Sequence, residues 1–172
     1  MHILGGTLKG KSLTRSKTDA VRATQSRVRE AVFNILQTRV SGSRFLDLFS
    51  GTGAMGLEAW SRGAVSVTCV DQDVRLVRQN CKDTPEIRIV QKEVVRFVTA
   101  ATEPVDIIFV DPPWQDLRVL TDTLKGIVAS DILFESGLLL VEHYKKTQLP
   151  TLPFTLLKTY QYGDTVLTVW TR

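Results

Sequence analysis

Phe45-Leu46-Asp47-Leu48-Phe49-Ser50-Gly51-Thr52-Gly53-Ala54-Met55-Gly56 passes from an apolar run, through a glycine-rich bend, into a helical pattern. Read as strand, turn and helix, it is the opening unit of an α/β sheet that holds a nucleotide-like ligand. Gly51, Gly53 and Gly56 let the backbone bend tightly and approach a ligand with no Cβ in between. Taken literally they spell G-x-G-x-x-G, and Asp71 follows about twenty residues later at the end of the next apolar run, as in a dinucleotide fingerprint. Asp47 points elsewhere. A carboxylate at the end of the strand repels a pyrophosphate resting on the bend and suits a cationic group, such as the amino group of S-adenosylmethionine. Asp71 fits either cofactor, because its carboxylate can accept from both ribose hydroxyls. Both cofactors stay open at this point.

Outward from this unit, short runs rich in β-branched or aromatic residues (45–49, 65–70, 87–90, 105–110 and 138–141) alternate with helical patterns at 54–61, 74–81, 94–101 and 117–129. Strands apolar on both faces and separated by helices predict a doubly wound parallel sheet. Two β-rich runs, 154–160 and 165–171, flank Tyr162-Gly163-Asp164 and read as a closing hairpin. Upstream, Val28, Ala31, Val32, Ile35 and Leu36 recur at helical spacing from Ser26, with Arg27, Arg29 and Glu30 on the other face, and Ser41-Gly42-Ser43 ends the pattern. Residues 5–17 read as an extended or irregular lead-in.

The chain has 172 residues, 43% hydrophobic and 23% charged, which fits one compact domain and excludes disordered, collagen-like and disulfide-scaffold classes. No apolar run nears the ~18–20 residues of a membrane helix, and the first six residues are no signal peptide. Cys69 and Cys81 show no C-x-x-C spacing and are expected as reduced thiols of a cytoplasmic protein. The net charge of +4 is uneven: residues 1–44 hold nine basic and two acidic side chains, so the remainder is net acidic. A basic arm on a mildly acidic body is an electrostatic handle for a polyanion such as nucleic acid.

The fourth apolar run leads into Asp111-Pro112-Pro113-Trp114. Parallel-sheet ligands bind beyond the carboxyl ends of strands, so this loop should face the same crevice as the glycine bend. Two prolines stiffen it and remove two amide donors. The Asp111 carboxylate and Pro112 carbonyl can accept from an exocyclic NH2 while Trp114 stacks on the attached base. Such an amine is a poor nucleophile until hydrogen bonding restores its lone pair for attack on a sulfonium methyl. This chemistry requires no metal, and no Cys/His ligand set is present.

Joined to residues 46–53, Asp111-Pro112-Pro113-Trp114 resembles the S-adenosylmethionine-dependent amino-methyltransferases. Ile3-Leu4-Gly5-Gly6, Lys9-Gly10, Arg22-Ala23-Thr24 and the stretch from Arg27 to Leu36 narrow the resemblance to the bacterial 16S ribosomal RNA guanine-N2 methyltransferases of the small subunit, over nearly the whole chain. The resemblance implies a Rossmann-like class I methyltransferase fold: a seven-stranded, mostly parallel sheet with an antiparallel C-terminal hairpin. Residues 1–44 form the basic arm and helix, and 45–172 the catalytic core. It implies that Asp47, Phe49, Ser50, Gly51 and Gly53 hold the methionine part of the cofactor, Asp71 the ribose and Glu93 the adenine. Thr24 and Arg22 would sit in a loop over the pocket, and the loop from Asp111 to Trp114 would receive the guanine. Lys9, Lys11, Arg22 and Arg27 are expected to contact RNA. The expected partner is 16S RNA or a small-subunit assembly particle, with ribosomal proteins bound to the RNA. Two positions depart from the family pattern: Ala23 stands where proline is usual, and Glu93 where Asn or Asp is commoner.

Other conspicuous residues favour structural roles: His2 and His143 as hydrogen-bonding side chains, Asp106 as a turn or cap, Trp60 and Trp170 as packing. Glu142 is expected more as a strand-end residue than as part of the crevice. Alternative functions are methylation of adenine N6 or a glutamine side chain, an NAD-dependent oxidoreductase, and a non-catalytic RNA chaperone.

Overall fold

The computed structural model describes residues 1–15 and 22–172, for 22–25 the backbone only. The elements run α1 (Arg22–Ile35), β1 (Arg44–Leu48), α2 (Ala54–Ser61), β2 (Ser66–Asp71), α3 (Arg75–Asn80), β3 (Arg88–Gln91), α4 (Val94–Ala100), β4 (Val105–Val110), α5 (Leu117–Ser130), β5 (Leu133–Tyr144), β6 (Thr155–Tyr162) and β7 (Thr165–Thr171). Seven strands form one sheet in the order β3-β2-β1-β4-β5-β7-β6. The pairings from β3 through β5 are parallel, and β7 is antiparallel to both β5 and β6. The expected parallel sheet and closing hairpin are both present. Among the described residues no helix is long and apolar enough to cross a membrane.

Side chains alternate across the strands, so the sheet has two apolar faces. On one, Phe45, Val67, Cys69, Ile107, Phe109 and Leu140 pack beneath the N-terminal arm, α1, α2 and α3, including Ile3, Val32, Phe33, Leu57 and Val77. On the other, Leu46, Leu48, Val70, Ile108, Val110 and Val141 pack beneath α4 and α5 through Val94, Val98, Leu120, Leu124 and Ile127. Helices on both faces explain why the inner strands read as continuous apolar runs rather than as alternating ones.

Three segments differ from expectation, each for a local reason. β5 starts at Leu133 rather than 138, because Glu135, Ser136 (φ 62°) and Gly137 make an irregularity within one strand and mask its start as a polar break. α1 stops at Ile35, and turns ending in Val40 N–H bonded to the Leu36 carbonyl carry the chain to β1. The lead-in is a small hairpin, with Ile3 N–H to Lys11 O (3.0 Å), Gly10 N–H to Ile3 O (2.9 Å) and Leu13 N–H to Met1 O (2.8 Å). It is docked on α2, where the buried Glu58 carboxylate accepts from the Leu4 and Gly5 amides at 2.7 and 2.8 Å.

Gly56 is where α2 meets the sheet. A Cβ there would run into Cys69 Sγ and lie 3.1 Å from a Val67 methyl, both on β2. Gly56→Ala is therefore expected to destabilise the fold by roughly 1–3 kcal/mol through overpacking. Urea unfolding should show a lowered midpoint with an unchanged slope.

Candidate active site

The strand order reverses at β1, between β2 and β4, the point where open α/β sheets place ligands. Val70, Leu48, Val110 and Val141 lie in one register row across β2, β1, β4 and β5. One residue further on come Asp71, Phe49, Asp111 and Glu142. The parallel register thus delivers three carboxyl groups and an aromatic ring side by side at the carboxyl edge of the sheet.

The glycine bend sits over this edge. Phe49 (φ 61°), Gly51 (φ 51°) and Gly53 (φ 74°) all adopt left-handed backbone, and a Cβ on Gly53 would lie 2.5 Å from a Val77 methyl. Asp47 is buried beneath the bend, where its Oδ2 accepts from Gly56 N–H at 3.0 Å. Burial pushes the Asp47 carboxyl up to about 8, against the stabilising Gly56 bond and with added repulsion from Asp111 and Asp71. Asp71 ties the bend from the other side, accepting from Gly51 N–H (2.8 Å) and from Asp73 N–H (3.0 Å).

Two cavities adjoin here, sharing Phe49 and Asp111. The inner one, about 220 Å³, is lined by Asp47, residues 49–52, Phe109, Asp111 and Glu142, and on the arm side by Met1, Arg15, Ser26 and Arg29. The wider one, about 520 Å³, lies between Asp71-Gln72-Asp73, Val94 and the residues Pro112, Pro113 and Trp114. Trp114 is 40% exposed, with its ring 5.7 Å from that of Tyr144. Asp116 N–H donates to the Pro113 carbonyl (3.0 Å), and the Asp116 side chain caps α5 through Val119 N–H. The loop is thereby fixed at its α5 end.

Glu142 belongs to the crevice, contrary to expectation: it is 6% exposed and lines the inner cavity. Burial raises the carboxyls of both Asp111 and Glu142, and the charge of Asp111 raises Glu142 further. Arg29 also differs from expectation. It is 3% exposed rather than on the outer face of α1, lies 3.7 Å from the Glu58 carboxylate and donates to the His2 carbonyl at 2.8 Å. Asn80, unnoticed in the sequence, donates to the carbonyls of Thr14 and Thr52 (both 2.9 Å) and so joins the arm to the glycine bend. The signal for the Arg29 site was Glu58 itself, a charge within a helix of small and apolar residues, which demands a buried partner.

The remaining expected positions fall as follows. Asp47, Phe49, Ser50, Gly51 and Asp111 meet in the inner cavity, while Asp71, Pro112, Pro113 and Trp114 line the wider one. Gly53 starts α2 behind the bend. The Glu93 carboxylate caps α4, accepting from Val95 N–H (2.9 Å) and Arg96 N–H (3.0 Å), and its neighbour Val94 is the residue that reaches the cavity. Lys9 and Arg27 are exposed, and Lys11 is paired with Asp83 at 3.4 Å. Arg22 and Thr24 lie in the first turn of α1 rather than in a loop, and their side chains are outside the described residues. His143 is buried against Thr168 Oγ1 (2.8 Å), and the Asp106 carboxylate accepts from Arg44 N–H across the strands at 2.7 Å.

A family model described as "Conserved hypothetical protein 95" matches residues 1–171. The chain is 32% identical to ribosomal RNA small subunit methyltransferase D of Escherichia coli (strain K12), over 89% of this chain and 79% of that protein. It is 31% identical to the provisionally named rRNA methyltransferase YlbH of Bacillus subtilis (strain 168), over 100% and 99% of the two chains. Among solved structures, Escherichia coli yhhF, provisionally described as a methyltransferase, superimposes with a TM-score of 0.85 at 30% identity, covering 100% of this chain and 97% of that one.

The buried Asp47 has a direct consequence for stability. Its pKa is higher in the folded chain than the ordinary 3.8, so its contribution is whole below about pH 4 and is lost as pH rises through about 8. The ligand-free protein should therefore lose stability from pH 5 to 8.5, with Asp111 and Glu142 acting in the same direction. Asp47→Asn should flatten that slope and raise Tm at pH 8.5, by roughly 2–4 °C per kcal/mol relieved. Thermal scans across this pH range check it, and a slope unaltered by the substitution would disprove it.

Proposed function

The chain belongs to the family of conserved hypothetical protein 95, which takes in ribosomal RNA small subunit methyltransferase D, and on that premise we propose that it transfers a methyl group from S-adenosylmethionine to the exocyclic N2 of a guanine in 16S ribosomal RNA, in the cytoplasm. The observation that carries this reading is the meeting of Asp111, which opens the proline-rich loop, with Asp47 and the glycine bend in one cavity.

The residues fit the cofactor. Three carboxylates face two guanidiniums in the inner cavity, and one of those guanidiniums is already beside Glu58, so the cavity favours a ligand of net positive charge. Ser50 Oγ is buried there with no hydrogen-bond partner among the described residues, a hydroxyl left for a ligand. A carboxylate at Asp47 disfavours the pyrophosphate of a dinucleotide, which tells against the oxidoreductase alternative. On this reading Asp47 and residues 49–52 hold the amino-acid end, Asp71 the ribose, and Gln72 with Val94 the adenine, across both cavities. Bound S-adenosylmethionine supplies an electrophilic methyl group on a positively charged sulfur.

Asp111 then orients the target. Its carboxylate accepts a hydrogen bond from the N2 amine, which directs the nitrogen lone pair toward the inner cavity. As the N–C bond forms and the C–S bond breaks, with the electron pair leaving on sulfur, the same carboxylate receives the proton that N2 sheds. Burial makes it a stronger base than an ordinary aspartate. The rigid loop and the capped start of α5 hold this geometry. Trp114, half exposed at the rim, offers a ring face to a base leaving the RNA stack. Lys9, Arg15 and Arg27, all exposed, offer phosphate contacts.

Mass mapping of 16S RNA from cells lacking the gene, against complemented cells, should show one N2-methylguanosine that depends on this protein. An N6-methyladenosine in its place would transfer the assignment to the adenine alternative. Asp111→Asn should lower methyl transfer by at least about 100-fold while S-adenosylhomocysteine affinity changes by less than about threefold, as expected for a group acting on the acceptor. Affinity for small subunits should fall by roughly 20- to 40-fold between 50 and 200 mM salt, the loss expected for about three phosphate contacts.

A further inference from the structure

Two acids in the inner cavity have no donors. Neither the Asp111 nor the Glu142 carboxylate accepts a hydrogen bond or forms an ion pair with any described residue. By contrast, the buried Glu58 takes the Leu4 and Gly5 amides and Arg62, and Asp47 takes the Gly56 amide. Val110 and Val141 are register partners, so Asp111 and Glu142 stand side by side on parallel strands about 4.8 Å apart. Paired like this on the wall of the cavity and ionised, they form a site that only accepts and calls for N–H donors. The repulsion that raises Glu142 has the same origin.

A ligand that matches this site carries adjacent donors along one edge. Of the four RNA bases only guanine does, with N1–H next to the N2 amine. Adenine and cytosine put a ring lone pair beside their amine, which would face a carboxylate. Resting on the guanine reading above, we propose that Glu142 is the residue that selects the base: it accepts N1–H while Asp111 holds the N2 amine. Arg15 and Arg29 line the same cavity on the arm side, and Phe109, the β4 register partner of Asp47, lines it as well.

The test uses full-length protein, S-adenosylmethionine and small ribosomal subunits reconstituted with the mapped target nucleotide as guanine or as 2-aminopurine. The analogue keeps the N2 amine and has a lone pair at N1. The native protein should methylate guanine at least about tenfold faster than 2-aminopurine, since a site built to bond an N–H rejects an analogue lacking it. Glu142→Gln should lose most of its rate on guanine, and its preference should shrink to about twofold or less, with S-adenosylhomocysteine affinity unchanged. Glu142→Leu, which keeps an apolar body in the buried position, should show the same loss of preference and serves if the glutamine variant does not fold. A merely structural role would slow both substrates alike. Equal preference in native and variant proteins, no preference in the native protein, or a loss of rate that follows lost S-adenosylhomocysteine affinity would each overturn the proposal. Absence of any transfer to guanine N2 by the native protein would instead remove the reading on which it rests.

Discussion

The hydrogen bond from Gly56 N–H to the Asp47 carboxylate holds the crevice together. It spans the glycine bend, from the end of β1 to the first turn of α2, and it fixes the bend because Gly56 also seats α2 on β2. A backbone amide is a weak counterpart for a buried negative charge, so the carboxylate keeps an unmet demand for a cation. The same residue therefore organises the bend and leaves it prepared for a ligand. Left-handed backbone at Phe49, which unlike Gly51 and Gly53 carries a Cβ, is the local strain this arrangement tolerates.

How much of this could be read beforehand depends on whether the signal was local. The central strands and α2 announce themselves through apolar runs and helical spacing, and the bend and the proline pair through residues with few conformational alternatives. Glu142 does not, since a single acid at the end of Leu138-Leu139-Leu140-Val141 looks the same whether it faces solvent or a cavity. Its meaning comes from register with β4, a pairing between distant segments. Arg29 reads as outward-facing because charged residues usually are, and only the approach of Glu58 from another helix reverses that. Glu93 shows a structural role that its position after a strand does not announce: its carboxylate caps the start of α4.

The arm changes the picture of charge as well. Composition suggests a basic tail on an acidic body, yet residues 1–15 fold as a hairpin against α2 and α3, with Met1 and Arg15 forming part of the cavity wall. Its charges are divided accordingly. Lys11 is occupied at Asp83, whereas Lys9 is exposed and Arg15 is exposed at the cavity rim. On the proposed function, a polyanion drawn to this surface would arrive beside the reacting groups, so attraction and chemistry would share one location.

The reversal of strand order also governs how the chain reaches its native state. β1 pairs on one side with the strand that follows it and on the other with β4, whose Asp106 meets Arg44 at a separation of 62 residues. Closing so long a loop is entropically slow, and during synthesis β1 waits with one edge bare while three helices and two strands emerge. The carboxyl edge that gathers the acids does not exist until β4, and then β5, have been added. A nascent chain is thus inert toward its ligand until nearly all of it is made, and the exposed flank of β1 is its most vulnerable stretch in the meantime.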